Sequence, residues 1–425
     1  MNILLLGSGG REHALAWKME QSPLCKKLWI APGNAGTQLC GTNVELNIND
    51  FDAVVSFIAA HHIDMLVVGP EEPLVNGIAD FVLQNPSTSH VQVIGPSAKG
   101  AMLEGSKQFA KEFMQKYNIP TAAYRSFTAE SYEEGVDFLE TLAPPYVLKA
   151  DGLAAGKGVA IVQSLDGAID VLKGMLKDKA FGKASEKVVM EEFLDGVEVS
   201  VFVATDGENW ILLPEAKDYK RIGEGDTGPN TGGMGAVSPV SFADTEFMEK
   251  VKTRIVQPTI DGLQKENIPY TGFIFVGLMN VNGDPYVIEY NVRMGDPETE
   301  AIIPRISSDF VQMLKLMGEG NLNNYTLEVC PEFAATVMLV SGGYPGSYQK
   351  GHEISGLDHV DGSHVFYAGA SEKDEKVVTS GGRVVAITSL HSSLEKARLQ
   401  SMKNAAIIKF HQVNFRTDIG LDLQG

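Results

Sequence analysis

At 425 residues the chain exceeds the roughly 250–300 that usually share one hydrophobic core, so two to four domains are expected. Its 44% hydrophobic and 21% charged residues are those of an ordinary globular protein, and a formal net charge of -19 argues against nucleic acid and anionic membrane surfaces as partners, because the long-range field repels both. No apolar stretch reaches the roughly 18 residues of a membrane span, and the isolated Cys25, Cys40 and Cys330 match neither a disulfide framework nor a metal cluster, so buried reduced thiols in a cytoplasmic protein are expected.

The first hundred residues alternate two patterns. Ile3 to Leu6 reads as a strand, Arg11 to Gln21 as a helix, Leu28 to Ala31 as a strand, Phe51 to His61 as a helix and Met65 to Val68 as a strand. Helix Pro73 to Leu83 and strand Val91 to Ile94 repeat the unit. Continuous apolar strands separated by helices indicate a parallel sheet covered on both faces. The strands end in glycine turns at Gly7 to Gly10, Gly33, Gly69-Pro70-Glu71 and Gly95, the edge at which open α/β sheets bind ligands. A dinucleotide fingerprint is not met: Glu12 stands where a third glycine is required, and the second strand ends in Ala31-Pro32-Gly33 without an acidic residue. Gly9, Gly10 and Arg11 suit either one phosphate monoester at a helix N-terminus or a tight structural turn.

From Ser106 the character changes. Ser106 can cap a helix running to Tyr117, with Lys107 in its first turn, where the helix dipole disfavours a cation unless it serves a ligand. A lid-sized α/β segment spans 121 to 189, with helices at Ser131 to Leu142 and Leu165 to Lys177. Between them Val147 to Ala160 reads V-L-K-A-D-G-L-A-A-G-K-G-V-A. Gly152, Gly156 and Gly158 let backbone approach a phosphate, while Lys149 and Lys157 bring positive charge; the other reading is an ordinary glycine-rich hairpin. Strand Val188 to Phe193 turns through Leu194-Asp195-Gly196 into strand Val197 to Ala204.

Pro214 to Pro239 is glycine-rich with little helix or strand pattern, and its cluster Lys217, Asp218, Lys220 and Arg221 makes it a functional loop or else a mobile surface excursion. A helix over Thr245 to Lys265 precedes strands Gly272 to Met279 and Tyr286 to Tyr290, joined by the hairpin turn Asn282-Gly283-Asp284-Pro285. Alternation places Glu289, Asn291 and Arg293 on one face. A carboxylate and an amide two apart suit a hard cation sharing water and phosphate oxygens, and Arg293 suits a carboxylate or phosphate; an edge-strand charge pair is the alternative. Beyond a polar linker after Met317 come strands Ala334 to Val340, His364 to Ala368 and Arg383 to Thr388 and a helix over Leu394 to Phe410.

These pieces resemble the glycinamide ribonucleotide synthetases (phosphoribosylamine–glycine ligases), ATP-grasp enzymes of purine biosynthesis. The resemblance rests on G-S-G-G-R-E-H-A at Gly7 to Ala14, G-P-E-E-P-L at Gly69 to Leu74, and K-A-D-G-L-A-A-G-K-G at Lys149 to Gly158. It continues through E-E-F-L-D-G-V-E at Glu191 to Glu198, G-P-N-T-G-G-M-G-A at Gly228 to Ala236, R-M-G-D-P-E-T at Arg293 to Thr299, T-S-G-G-R-V at Thr379 to Val384 and R-T-D-I-G at Arg416 to Gly420.

The resemblance implies an α/β and α+β multidomain fold: an N-terminal parallel α/β domain over 1–103, an ATP-grasp domain over 104–326 with its lid at 121–189, and a small α+β C-terminal domain over 327–425. It implies ATP with Mg2+ or Mn2+, and glycine and 5-phosphoribosylamine as substrates, in a monomer. Carried over by motif, Lys107 and Lys149 contact ATP phosphates under the Gly152–Gly156–Gly158 loop, Glu191 to Leu194 hold the adenine edge, Glu198 the ribose, and Glu289 with Asn291 the metal. Arg293 with Asp296 and Pro297 holds glycine, Asp218 assists, and Gly9, Gly10, Arg11, Gly69, Pro70 and Glu71 face phosphoribosylamine. The chain departs from the family at Lys217 and Tyr219, where glutamine and histidine are common, and at Met294, where phenylalanine is. The competing readings are another ATP-grasp enzyme acting on a carboxylate, such as a biotin-carboxylase relative, and a nucleotide-binding regulator without catalysis.

Overall fold

The computed structural model describes residues 1–154 and 158–423. Asn2–Gly7, Lys27–Pro32, Thr42–Asn43, Met65–Val68 and Gln92–Ile94 form a parallel sheet whose central strand is the first. Ile3, Leu4, Leu5 and Leu6 are all fully buried, as continuous apolar strands require when helices cover both faces. The helix expected over Pro73 to Leu83 is two, Glu71–Val75 and Ile78–Gln84, because Gly77 adopts φ +89 and breaks the run. A helix not foreseen, Ala98–Gly105, leads into Lys107–Lys116.

The lid is an antiparallel sheet in the order Tyr124–Thr128, Lys187–Glu191, Tyr146–Ala150, Val159–Val162, backed by helices Tyr132–Glu140 and Leu165–Leu176. It has a core of its own around Phe127, Leu139, Leu148, Leu172 and Met190. The strand expected to reach Phe193 stops at Glu191, and the chain crosses from lid to floor over the next residues. The floor is a second antiparallel sheet, ordered Trp210–Leu212, Val197–Thr205, Gly272–Val281, Asp284–Asn291. The turn between its last two strands has Asn282 at φ 53 and Gly283 at φ 87, the left-handed pair that a two-residue hairpin needs. A bulge opposite Gly277-Leu278 interrupts the outer strand, which ends at Asn291, so Arg293 lies beyond it and not on the strand face it was expected to share with Glu289 and Asn291.

The stretch from Pro214 to Pro239 is not the irregular loop expected. It holds four short strands, Lys217–Asp218, Arg221–Gly223, Thr227–Asn230 and Gly235–Ser238. Gly235–Ser238 pairs with Phe333–Val340, so this segment joins the C-terminal sheet and crosses the boundary expected near 326. The departures Lys217 and Tyr219 have a common partner: both side chains donate to Asp422, the tyrosine hydroxyl at 2.6 Å. The helix Thr245–Val251 continues through one π-helical turn, Lys252–Val256, into Gln257–Lys265. The last helix, Leu394–Ala405, is shorter than expected, and Phe410 beyond it packs into the C-terminal core. Among the described residues no helix is long and apolar enough to cross a membrane.

Candidate active site

The gap between lid and floor gathers the charged residues of the central segment. Ser106 caps helix Lys107–Lys116, its hydroxyl accepting from the Phe109 N–H at 3.1 Å. Asp151, from the root of the lid loop, accepts from the Gln108 N–H at 2.7 Å, so a lid carboxylate sits on the same helix end and offsets the unfavourable placement of Lys107. The Lys107 ammonium donates to the Gly152 carbonyl at 3.2 Å; burial lowers its pKa, and the charge of Glu289 partly opposes that. Lys149, at the end of its strand, donates to the Ile288 carbonyl at 3.1 Å, one residue before Glu289. Lys107 thus has the Glu289 carboxylate and the Lys149 ammonium as charge neighbours, and Lys149 reaches the backbone of the strand that carries Glu289. Gly152 packs so closely on Ala184 that a Cβ would lie 2.9 Å from the alanine methyl, and a Cβ at Gly158 would lie 2.8 Å from that of Ala154. Gly156 and Lys157 lie outside the described residues.

Glu191 is buried with its carboxylate between two ammonium groups, Lys149 at 2.9 Å and Lys111 at 2.9 Å. Leu194, itself half-buried, follows in the exposed crossing to the floor. Glu198 opens the next strand and pairs with Lys220, which also lies 3.4 Å from Asp218. Lys220 holds the Glu198 carboxyl below the usual range, whereas burial raises that of Asp218. Burial, reinforced by the Asp218 charge, also raises Glu298, whose carboxylate accepts from the Ser200 hydroxyl at 3.2 Å.

Glu289 faces Gly277, where the absent side chain leaves its stem room. Among the described residues no group of three or more His, Cys, Asp or Glu is arranged to hold a metal by itself. Two hard donors, Glu289 and Asn291, are what the protein offers, which fits a cation that takes its other ligands from phosphate oxygens and water.

A second cluster lies where the N-terminal sheet meets the Gly295-Asp296-Pro297 turn. The Glu12 carboxylate folds back to accept from the Gly9 N–H at 2.6 Å and from the Arg11 guanidinium at 2.6 Å, and the Arg11 N–H donates to Asp296 at 3.3 Å. The amides of Gly9 and Arg11 thus already meet carboxylates, so the expected phosphate cradle is filled from within at both. Glu300 lies below Gly10, too close for any Cβ there, and Gly69 lies equally close to Glu12. Arg293 donates to Glu104 at 3.0 Å and lies 3.3 Å from Glu71, the residue that follows Pro70 and starts its short helix. Burial would raise the Glu71 carboxyl, but Arg293 and Arg11 hold it below the usual range. Asp296 pairs with Arg383 at 2.8 Å, and Arg383 also donates to the Gly232 carbonyl at 2.6 Å; Gly233 lies flush against Pro297.

Lys111, Glu104, Arg383 and Glu298 were not singled out from sequence. Arg383 sits in T-S-G-G-R-V and Glu298 in R-M-G-D-P-E-T, so motif membership was a usable signal for both. Lys111 and Glu104 carried none, since their ion-pair partners, Glu191 and Arg293, are far away in the chain.

A two-layer clamp of lid and floor, with lysines from both sides of the gap and a carboxylate–amide pair between them, is the architecture of the ATP-grasp enzymes, which use ATP. Three family models match in order: phosphoribosylglycinamide synthetase N domain at residues 1–104, its ATP-grasp (A) domain at 105–299 and its C domain at 334–422. The chain belongs to the phosphoribosylglycinamide synthetase family. It is 44% identical to the phosphoribosylamine–glycine ligase of Pasteurella multocida over 99% of this chain and 97% of that protein, and 43% identical to that of Vibrio cholerae over 99% and 98%. The crystal structure of the Thermotoga maritima phosphoribosylamine–glycine ligase matches with a TM-score of 0.86 at 36% identity, covering 99% of this chain and 100% of that one. The biotin carboxylase domain of the Hydrogenobacter thermophilus 2-oxoglutarate carboxylase, solved with MgADP, matches with a TM-score of 0.73 at 15% identity over 98% and 92%, so the competing reading shares the fold.

Proposed function

We propose that the chain joins glycine to 5-phosphoribosylamine, giving glycinamide ribonucleotide while ATP is converted to ADP and phosphate. A glycine carboxylate oxygen attacks the γ-phosphorus and ADP leaves. The amine of phosphoribosylamine then attacks the carbonyl carbon of glycyl phosphate, phosphate leaves and the amine gives up a proton. Carboxylate activation is needed because an unactivated carboxylate has no adequate leaving group, and positive charge is needed because two anions must meet.

The observation that supports the residue assignment is the placing of two ammonium groups beside the strand that carries Glu289: Lys107, with Glu289 and Lys149 as charge neighbours, and Lys149, 3.1 Å from the Ile288 carbonyl. In this reading both lysines meet ATP phosphates, the Gly152–Gly158 loop covers them, the Glu191 to Leu194 backbone takes the adenine edge and Glu198 the ribose. Glu289 and Asn291 would hold Mg2+ or Mn2+, which supplies charge neutralisation between the phosphates. Arg293, with the Asp296-Pro297 turn, takes the glycine carboxylate in exchange for Glu71, and Asp218 assists. Gly9 to Arg11 and Gly69 to Glu71 face phosphoribosylamine; their carboxylates Glu12, Glu71 and Asp296 suit its amine better than its phosphate. Domain limits near 103 and 326, action as a monomer in the cytoplasm and the absence of a nucleic-acid or membrane partner belong to the same proposal, the last supported by the charge of -19.

The test is phosphate release from ATP with glycine present and phosphoribosylamine supplied or withheld. Steady release requiring both is expected, and release supported by bicarbonate alone would assign a carboxylase instead. Lys149→Ala is expected to lower turnover at least about a hundredfold with an unchanged circular dichroism spectrum, since it removes a charge-assisted contact to the transferring group.

A further inference from the structure

Lys111 lies one helical turn beyond Lys107 and is buried, with its side chain 2% exposed. A lysine is taken out of water in this way only when its charge is matched. Its ammonium lies 2.9 Å from Glu191 and donates to the Thr121 hydroxyl at 2.7 Å, and Thr121 in turn donates to the Val287 carbonyl at 2.6 Å. The other oxygen of Glu191 lies 2.9 Å from the Lys149 ammonium, an ion pair without hydrogen-bond alignment. Two buried ammonium groups thus share one carboxylate, leaving an excess positive charge beside the lid. The three elements involved are the helix carrying Lys107, the lid strand carrying Lys149 and the lid strand leading to Leu194.

We propose that Lys111 is a positioning residue for ATP: it keeps the Glu191 carboxylate paired, so that Lys149 can leave that carboxylate for a phosphate of the nucleotide. The inference rests on the reading that Lys149 meets an ATP phosphate. Without Lys111, each departure of Lys149 would strand a buried carboxylate, and Lys149 would stay where it is. Lys111 itself touches no substrate. Burial pushes its pKa down to about 8, with Glu191 and Glu192 opposing and Lys149 adding to the shift; the ring of Tyr124 lies 5.8 Å away and Thr121 completes its surroundings. Deprotonation above about pH 8 should therefore act like removal of Lys111.

Initial rates are to be measured with the full chain for wild type, Lys111→Met, Lys111→Arg and Lys149→Met. Lys111→Met is expected to raise KM for ATP about tenfold, the cost of one charge-assisted contact, and KM for glycine less than about twofold. Lys111→Arg, charged at every accessible pH, is expected to keep KM for ATP near the wild-type value at neutrality and to lack the rise expected of wild type between about pH 8 and 9. Unchanged KM for ATP in Lys111→Met, equal increases for ATP and glycine, or an alkaline rise kept by Lys111→Arg would each overturn the proposal. Should Lys111→Met not fold, the Lys111→Arg profile decides alone. If Lys149→Met leaves KM for ATP unchanged, the ATP-site reading itself fails; if it raises that KM while Lys111→Met does not, only the role of Lys111 is lost.

Discussion

Arg293 joins two tasks that substitution can separate. Its guanidinium neutralises Glu104, whose side chain is 8% exposed, and reaches Glu71 toward the substrate gap. Arg293→Ala leaves Glu104 buried without its ion-pair partner, which is expected to cost about 2 kcal/mol of stability, below the usual figure for a buried pair because Arg293 is partly exposed and Arg11 still acts on Glu104. Adding Glu104→Gln should recover most of that stability in urea melts without recovering the raised KM for glycine; recovery of both would remove Arg293 from the glycine site. Glu289→Gln keeps the size of a metal donor but not its charge, and is expected to raise the Mg2+ concentration for half-maximal rate about tenfold in a metal titration. Residues such as Lys149 and Glu289 were legible in sequence because the glycines and amide that explain them are neighbours in the chain. Glu104 was not, since only folding brings it to Arg293 and the Val292 N–H.

At the scale of elements, the lid is attached to the floor through one helix end. Asp151 leaves the lid strand and caps helix Lys107–Lys116 together with Ser106, while the Asp151 carbonyl accepts from the Lys107 N–H at 3.2 Å. This ties Asp151, at the end of the lid strand, to the helix turn that carries Lys107. Asp151→Ala should cost about 1 kcal/mol, as for other lost caps, and raise KM for ATP more than KM for glycine, because the cap aligns Lys107 and not Arg293. Equal changes in both constants would make Asp151 a stability residue only. Helix Lys107–Lys116 could be read because its signals, a capping serine and an ending at Asn118-Ile119-Pro120, are local. The strands between Pro214 and Pro239 could not be read, because they are two to four residues long with no apolar alternation, and the one that joins the C-terminal sheet, Gly235–Ser238, has its ladder partner Phe333–Val340 about a hundred residues on. The break at Gly77 shows the same limit inside a helix: an apolar pattern runs through it, but the backbone turns left-handed.

At the scale of the whole molecule, the N-terminal sheet, the floor and the C-terminal sheet meet around the Gly-Asp-Pro turn, and the joints are polar. Arg383 ties the C-terminal sheet to Asp296, while His13 and Asn34 tie it to the N-terminal sheet: His13 Nδ1 accepts from the Tyr367 N–H at 2.8 Å and the Asn34 amide donates to the Tyr367 carbonyl at 2.7 Å. Because Nδ1 accepts, the His13 proton sits on Nε2 and the ring is neutral. Burial lowers its pKa from 6.5 to about 4. Between those values the unfolded chain binds a proton at this histidine that the folded chain does not, so unfolding is favoured progressively as pH falls from 6.5 and the effect levels off below about 4. The shift corresponds to about 3 kcal/mol when complete. His13→Leu should lower stability at neutral pH by removing the acceptor for Tyr367, yet lose less on acidification than wild type. Calorimetric melts of both proteins near pH 7 and pH 4.5 would therefore converge at the lower pH, and parallel curves would show that the joint does not titrate through His13.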